Sequence, residues 1–263
     1  VLLQGYPNLE FYVEDGGSSD ASVSILKRYS PWLSGWVSEK DRGQSHAINK
    51  GMGRLQRAEW VTWLNSDDVL LPGALRAVGE WAATGRSAGA VAVVGRGLHR
   101  KEETGRTIPA RRSPDLNRHT LRNWRRCAFL QPACFFSLGA FRRLGGLDES
   151  LHYAMDFDLW VRLGELGEFD LIDALLARDL HHPDAKTQRA MGPCLGEICE
   201  VLFRRGYPAD ARQIIADLYD EYHYLARITN RVSDNLLYRR LLQPLVRRLL
   251  GAPAHLPQDE PDR

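Results

Sequence analysis

Two adjacent carboxylates, Asp67 and Asp68, end the apolar, β-prone run Trp60-Val61-Thr62-Trp63-Leu64-Asn65-Ser66. A buried strand delivers its last residues to the edge of a sheet, where α/β proteins bind ligands. Neighbouring carboxylates repel unless something positive sits beside them. A divalent cation shared with a substrate diphosphate fits that need, because Mg²⁺ typically takes one or two carboxylates and completes its shell with phosphate and water. The same two residues also suit a turn capping the helix that starts near Pro72. A further carboxylate, Asp156, falls in the first turn of a helix written by Phe157, Trp160, Val161 and Leu163. The helix dipole favours negative charge there, and from a cleft wall it would accept a proton from a hydroxyl group. Asp158 reads as a cap or ion-pair residue. His181 and His182, close to Asp179 and Asp184, have the chemistry of metal ligands and equally that of exposed loop residues.

Strands and helices must carry these groups. Residues 9–13 read as a strand, followed by Glu14-Asp15-Gly16-Gly17-Ser18-Ser19-Asp20, where the glycines permit a tight turn and Ser19 or Asp20 can cap a helix running to Tyr29. Strand, carboxylate, Gly-rich turn and helix are the frame of a nucleotide site in an α/β sheet, and also of an ordinary capped βα turn. The spacing is not Gly-x-Gly-x-x-Gly and the phosphate-loop Lys is absent, so neither Rossmann nor P-loop chemistry is supported. A second strand over 36–39 leads into a polar loop and a short helix, 40–51. There Asp41 could accept from ribose hydroxyls and Arg42 pair with a diphosphate, while His46 and Asn49 read as helix-surface or capping residues.

Farther along, a helix over 72–83 and a buried strand over 88–94 precede an Arg-rich stretch, 96–126. The stretch reads as loop with one short helix around 115–125. Such a basic run is a solvated face or an attractor of an anionic acceptor or a diphosphate-linked lipid. A strand over 130–136 enters a helix over 138–144 that Gly145-Gly146 ends, and 169–176 is extended. From Gly192 only helical periodicity remains, over 193–205, 209–228 and 233–250. In the last segment Leu237, Leu241, Leu242, Leu245 and Leu249 oppose Arg239, Arg240 and Arg247, with Pro244 able to kink it. A basic amphipathic helix of this kind suits an anionic membrane surface or packing against a protein face.

With 263 residues the chain can bury a full core, as one α/β domain with an appendage or as two domains. Lys and Arg number 35 against 33 acidic residues, a net +2 that suggests no nucleic-acid partner. The four cysteines form no Cys-x-x-Cys pair and read as reduced cytosolic residues. No apolar run reaches transmembrane length and no signal-peptide pattern is read at the start. Val1-Leu2-Leu3-Gln4 reads as the tail of an amphipathic helix without an initiator Met. The expectation is a fragment missing one strand and most of a helix.

Taken in order, the segments carry a resemblance. Residues 3–10 leading to Asp15-Gly16-Gly17-Ser18-Ser19-Asp20 resemble the start of family 2 glycosyltransferases, inverting enzymes of GT-A fold. The run Asp41-Arg42-Gly43-Gln44-Ser45-His46-Ala47-Ile48-Asn49-Lys50-Gly51 is similar to that family's next loop. Leu64-Asn65-Ser66-Asp67-Asp68 resembles its metal-binding region. Gly145-Gly146-Leu147-Asp148-Glu149 through Asp156-Phe157-Asp158-Leu159-Trp160 resembles its acceptor-side segment, and residues 182–187 its closing His-x-x-Ser-x-Thr element. The resemblance implies a mixed, mostly parallel sheet flanked by helices over 1–190, a helical extension over 191–251 and a disordered tail over 252–263.

By position, the resemblance further implies that Asp15, Gly17 and Ser18 form the nucleotide-binding turn, with Asp15 on the base. Asp41 and Arg42 lie near base, ribose and diphosphate, and Asp67 assists at the ribose or metal. Asp68 becomes the main ligand of Mg²⁺ or Mn²⁺ and His182 closes over the diphosphate or metal, while Asp156 is the catalytic base. Implied partners are a nucleoside-diphosphate sugar donor and a saccharide or lipid-linked acceptor, in cell-surface polysaccharide or glycolipid synthesis. The implied location is the cytoplasm, including the inner face of the plasma membrane. Two other readings stay open. One is a non-catalytic nucleotide-binding or assembly domain of the same fold, favoured by the missing first strand and by Gly16, His46, Met155 and Ala185, which stand where many family members carry other residues, and opposed by Asp68, Asp156 and His182 together. The other is a nucleotidyltransferase, which also places carboxylates at strand ends.

Overall fold

Strands buried on both faces make the central sheet. In the computed structural model, which describes residues 1–181 and 190–229, strand β5 (Ala90–Lys101) pairs with β7 (Cys134–Ser137) through Ala92↔Phe136, Val93↔Phe135 and Val94↔Cys134. Val93 and Phe135 pack against helix α3 (Ala74–Ala83), whose Ala74, Leu75, Val78 and Trp81 form one helical stripe. On the other sheet face Phe136 meets Trp63, Phe141 and Trp160, with Trp63 and Trp160 stacked at 5.7 Å and nearly parallel. Burying these side chains supplies the main driving force for folding.

The remaining strands are β1 (Tyr12–Asp15), β2 (Gly35–Ser38), β3 (Trp60–Val61), β4 (Val69–Leu70), β6 (Thr107–Pro109) and β8 (Glu168–His181). Strands β1 and β2 form a separate parallel pair. The main sheet runs β3-β7-β5-β8-β4, with β6 on β5. It is mixed, as expected, but only one of its five pairings is parallel where a mostly parallel sheet was expected: β5 and β8 run parallel over their length, and the four shorter pairings are antiparallel. Helices α1 (Ser22–Tyr29), α2 (Gln44–Arg54), α4 (Arg118–Arg122), α5 (Leu138–Arg143) and α6 (Met155–Leu166) complete the first of two compact units, Val1–Ile198. Helix α7 (Met191–Arg204) runs into the second unit, Cys199–Arg263. There the described part continues with α8 (Pro208–Thr229) and buries Val201, Leu202, Ala211 and Ile214.

Several elements differ from the sequence expectation. The run from Trp60 pairs only at Trp60 and Val61, because beyond them the chain leaves the ladder to place Trp63 in the aromatic cluster. The first strand is 12–15 rather than 9–13, and Ala21 is the residue before α1; Asp20 accepts from the Ser22 N–H at 2.9 Å. Leu2–Gln4 makes a single 3-10 turn, with Leu3 fully exposed. The Arg-rich stretch starts not as loop but as the second half of β5. Its backbone is satisfied by β8, and a Cβ at Gly95 would lie 2.3 Å from Leu176 Cγ, so the two strands approach closely only without a side chain there. The short helix expected around 115–125 is α4. The amphipathic segment 233–250 lies outside the described residues. No helix among the described residues is long and apolar enough to cross a membrane.

Candidate active site

Asp15 closes β1 and organises the glycine turn after it. Its carboxylate accepts from the N–H groups of Gly17 and Ser18 and from the hydroxyls of Ser18 and Ser38, at 2.5–3.2 Å. Those hydroxyls, with the backbone donors, hold its pKa down at about 2. The turn and the loop after β2 meet at Gly16, where a Cβ would lie 2.7 Å from Asp41 Oδ2. Asp41 in turn accepts from the Gly43 N–H at 2.9 Å, ahead of α2. Asp15, Gly17, Ser18 and Asp41 thus belong to one cluster.

The start of α2 reaches two further parts of the chain. Gln44 donates to the Asn65 amide oxygen at 2.8 Å, and Asn65 donates to Asp68 at 3.0 Å. The next residue, Ser45, is buried and lies 2.8 Å from Met155 Sδ, one position before Asp156. Five residues, Asp41 to Ser45, therefore touch the glycine turn, the Asp67-Asp68 pair's support and the first turn of α6. A second tie runs from Gln131, whose amide donates to the Trp63 carbonyl at 3.0 Å.

Asp68 is only 9% exposed. Burial, with the charges of Asp67 and Asp179, pushes its carboxyl up to about 6 against the opposing hydrogen bonds of the Asn65 amide and Leu180 N–H. Asp67 lines a cleft of about 370 Å³ with Arg100, Glu102, Arg178, Asp179 and Leu180. The cleft sits at the carboxyl ends of the parallel strands β5 and β8, where open α/β sheets bind ligands. His99 Nδ1 lies 2.9 Å from Asp179 on its rim. Among the described residues no three His, Cys, Asp or Glu side chains form a metal cage. Two carboxylates match the small protein contribution that Mg²⁺ usually takes, and a buried, acid-flanked Asp68 gains from a cation beside it. His182 lies outside the described residues.

Asp156 borders a second, aromatic cleft of about 200 Å³ with Trp124, Phe129, Gln131, Tyr153 and Trp160. Its Oδ1 accepts from the Phe157 N–H at 2.7 Å. Glu197 of α7 accepts from the N–H groups of His152, Tyr153 and Ala154, the donors that precede α6. Asp158 pairs with Arg162 at 2.7 Å, both buried. Arg162 also donates to the carbonyls of Leu144 and Gly146, so it joins the end of α5 to α6.

Arg42, expected near the diphosphate, pairs with Glu149 at 2.7 Å. Asn49 is no mere surface residue. It donates to the Leu147 carbonyl and accepts from the Leu147 N–H, clamping the segment 145–149 to α2. His46 accepts from the Arg42 N–H, a capping role. Glu197, Gln131, Trp124 and the His99–Asp179 pair carry no local motif that would single them out. The four cysteines are free, as expected.

Residues 1–144 match the sequence model of the family described as Glycosyl transferase family 2. Similar proteins include the chondroitin synthase of Escherichia coli, 27% identical over 186 residues, covering 69% of this chain and 26% of that protein. An uncharacterized glycosyltransferase of Rickettsia conorii is 22% identical over 254 residues, covering 91% of this chain and 40% of that one. The chain thus spans between a quarter and two-fifths of those relatives' length. Among solved structures, TarS 1-349 of S. aureus in complex with UDP is similar at TM-score 0.62 and 15% identity, covering 95% of this chain and 72% of that one. The mannosyltransferase PcManGT of Pyrobaculum calidifontis, in complex with GDP-Man and Mn²⁺, is similar at TM-score 0.52 and 17% identity, covering 94% and 78%. These structural likenesses show the fold.

Proposed function

The chain belongs to glycosyl transferase family 2 and has the GT-A fold, and on that premise we propose that it transfers a sugar, with inversion, from a nucleoside diphosphate to a hydroxyl of a saccharide or lipid-linked acceptor in surface polysaccharide or glycolipid synthesis. The observation that carries the reading is the segment from Asp41 to Ser45. It touches the glycine turn at Gly16, the Asn65 that supports Asp68, and the Met155 that precedes Asp156. Residues next to acids far apart in the chain thereby meet one helix start, while Asp67 and Asp156 themselves line two clefts.

In the proposed reaction Asp156 takes the proton of the acceptor hydroxyl as its oxygen bonds to the anomeric carbon, on the face opposite the breaking bond to the diphosphate. Asp67 and Asp68 would hold Mg²⁺ or Mn²⁺, which when bound neutralises the charge developing on the diphosphate. The glycine turn, with Asp15 and Asp41, holds the nucleoside. The nucleotide bound by TarS and the GDP-Man and Mn²⁺ bound by PcManGT support this class of donor.

Asp156→Asn tests the assignment. It is expected to lower transfer by about 10²–10⁴-fold, the usual worth of a general base, while UDP or GDP with Mn²⁺ protects variant and parent equally from thermal unfolding. Near-parental turnover in the variant would reject Asp156 as the base. Nucleotide binding by the parent without turnover of any sugar nucleotide would favour a non-catalytic binding domain.

A further inference from the structure

The rim of the Asp156 cleft carries a cluster of arginines that the reading above leaves without a role. Between Leu116 and Leu147 the sequence has six arginines and no Asp or Glu. Two of them serve the fold: Arg118 donates to the Gly164 carbonyl at 3.0 Å, and Arg142 to the Leu55 carbonyl. Arg122, Arg125 and Arg126 instead follow the end of α4 and the turn after it, where the Arg126 N–H donates to the Asn123 carbonyl at 2.8 Å. Arg111 comes alongside because Ser113 bonds across to this turn. The Ser113 N–H donates to the Ala128 carbonyl at 2.7 Å and its hydroxyl to the Arg126 carbonyl. Arg111, Arg125 and Arg126 are exposed, and Arg111 and Arg126 have no ion pair or side-chain hydrogen bond among the described residues. Asp115, the nearest acid in the sequence, accepts from the Thr120 hydroxyl at 2.8 Å.

The turn that bears these arginines is also a wall of the cleft, since Trp124, Cys127 and Phe129 line it together with Tyr153 and Asp156. The Arg125 guanidinium lies 5.6 Å from the centre of the Trp124 ring. Trp124, Phe129 and Tyr153 are half-buried. Uncommitted guanidiniums beside half-buried aromatic rings match the layers of an anionic bilayer surface. Phosphates lie outermost and attract basic side chains, and Trp and Tyr settle at headgroup level. A long soluble polyanion would need a basic groove to lie along. The cleft that these arginines flank measures about 200 Å³, room for one end group rather than a polymer. We propose that the arginine rim docks on the phosphates of an anionic bilayer, so that the Asp156 cleft is presented to a lipid-linked acceptor. The docking stands on the rim alone, and only the acceptor's class rests on the transferase reading.

Co-sedimentation of the whole chain with vesicles tests it, comparing equal parts of phosphatidylglycerol and phosphatidylcholine with phosphatidylcholine alone. Binding is expected to the anionic vesicles only, and should weaken as salt is raised. Arg111→Gln/Arg126→Gln should lower the affinity about 25-fold, at about fivefold for each arginine lost near the surface. The thermal midpoint of that variant should match the parent, because both side chains are exposed. The basic segment 233–250 is the competing source of membrane affinity, and Arg239→Gln/Arg240→Gln/Arg247→Gln separates the two. A further loss on adding the rim substitutions to that variant upholds the rim. Full binding by Arg111→Gln/Arg126→Gln, or equal binding to neutral and anionic vesicles, would overturn the proposal. So would capture of soluble polyphosphate through these arginines by a chain that ignores vesicles, which would make the partner a polyanion. Vesicle binding through the rim without turnover of any sugar nucleotide would uphold the docking surface and count against the transferase reading. Turnover with no vesicle binding would do the reverse.

Discussion

Asp15 and Asp68 are both carboxylates at strand or turn ends, yet their surroundings drive them in opposite directions. Asp15 takes two hydroxyls and two N–H groups and is held at about 2, below its ordinary 3.8. A carboxylate depressed on folding stabilises the protein above the unfolded value, near pH 4, and that stability is lost as pH falls toward 2. Asp15→Asn should therefore destabilise the chain at pH 7 and flatten its stability curve between about pH 4 and 2; urea unfolding at a series of pH values checks both. An unchanged acid limb would show that these hydrogen bonds contribute nothing net. The Asp-Gly-Gly-Ser spacing made this turn legible from sequence, because all but one of its partners lie within three residues. Arg42 and Asn49 were not legible in the same way: their partners, Glu149 and Leu147, stand 107 and 98 residues away. No local pattern encodes such a meeting.

At the scale of elements, α6 shows how the candidate base is held. Nearly all of the helix from Phe157 to Gly164 is buried, and Arg162 answers the charge of Asp158 while accommodating the last carbonyls of α5. Arg162→Leu removes the buried counter-ion of Asp158 and should cost about 3–5 kcal/mol, with the double variant Asp158→Leu/Arg162→Leu recovering much of it; denaturant unfolding of the single and double variants measures the coupling. Glu197 acts at the other end of α6, on three N–H groups beside Asp156. Glu197→Ala should cost about 1–3 kcal/mol from unmatched donors, and lower kcat more than donor KM, since it loosens the turn bearing the proposed base. Equal loss of kcat in Glu197→Gln, which keeps one acceptor oxygen, would argue against a positioning role. Helix α6 was legible from Phe157, Trp160, Val161 and Leu163, although its burial extends all round and takes in Asp158 and Arg162. The second half of β5 was not, since Arg96, His99, Arg100 and two glycines conceal a strand that exists through its pairing with β8.

For the molecule as a whole, the acid proposed to hold the cation works against the unliganded fold. Asp68 is buried beside Asp67 and Asp179, and its raised pKa records a charge that the surroundings resist. A cation and a nucleoside diphosphate would relieve that resistance, so stability and binding are linked through one side chain. At a nucleotide concentration about 100 times its dissociation constant, binding adds about 2.7 kcal/mol, which for a protein of this size corresponds to a rise of roughly 5–10 °C in thermal midpoint. UDP or GDP with Mn²⁺ should give a shift of that order, much reduced when EDTA replaces the metal. Asp68→Asn should raise the midpoint of the unliganded chain, because the buried charge is gone, and at the same time erase the metal-dependent part of the shift. Calorimetric scans of parent and variant, with and without Mn²⁺ and nucleotide, give all four values. A variant that keeps the full Mn²⁺-dependent shift would remove Asp68 from the metal site. One that is less stable without ligand would show that Asp68 is held by its hydrogen bonds rather than tolerated for its chemistry.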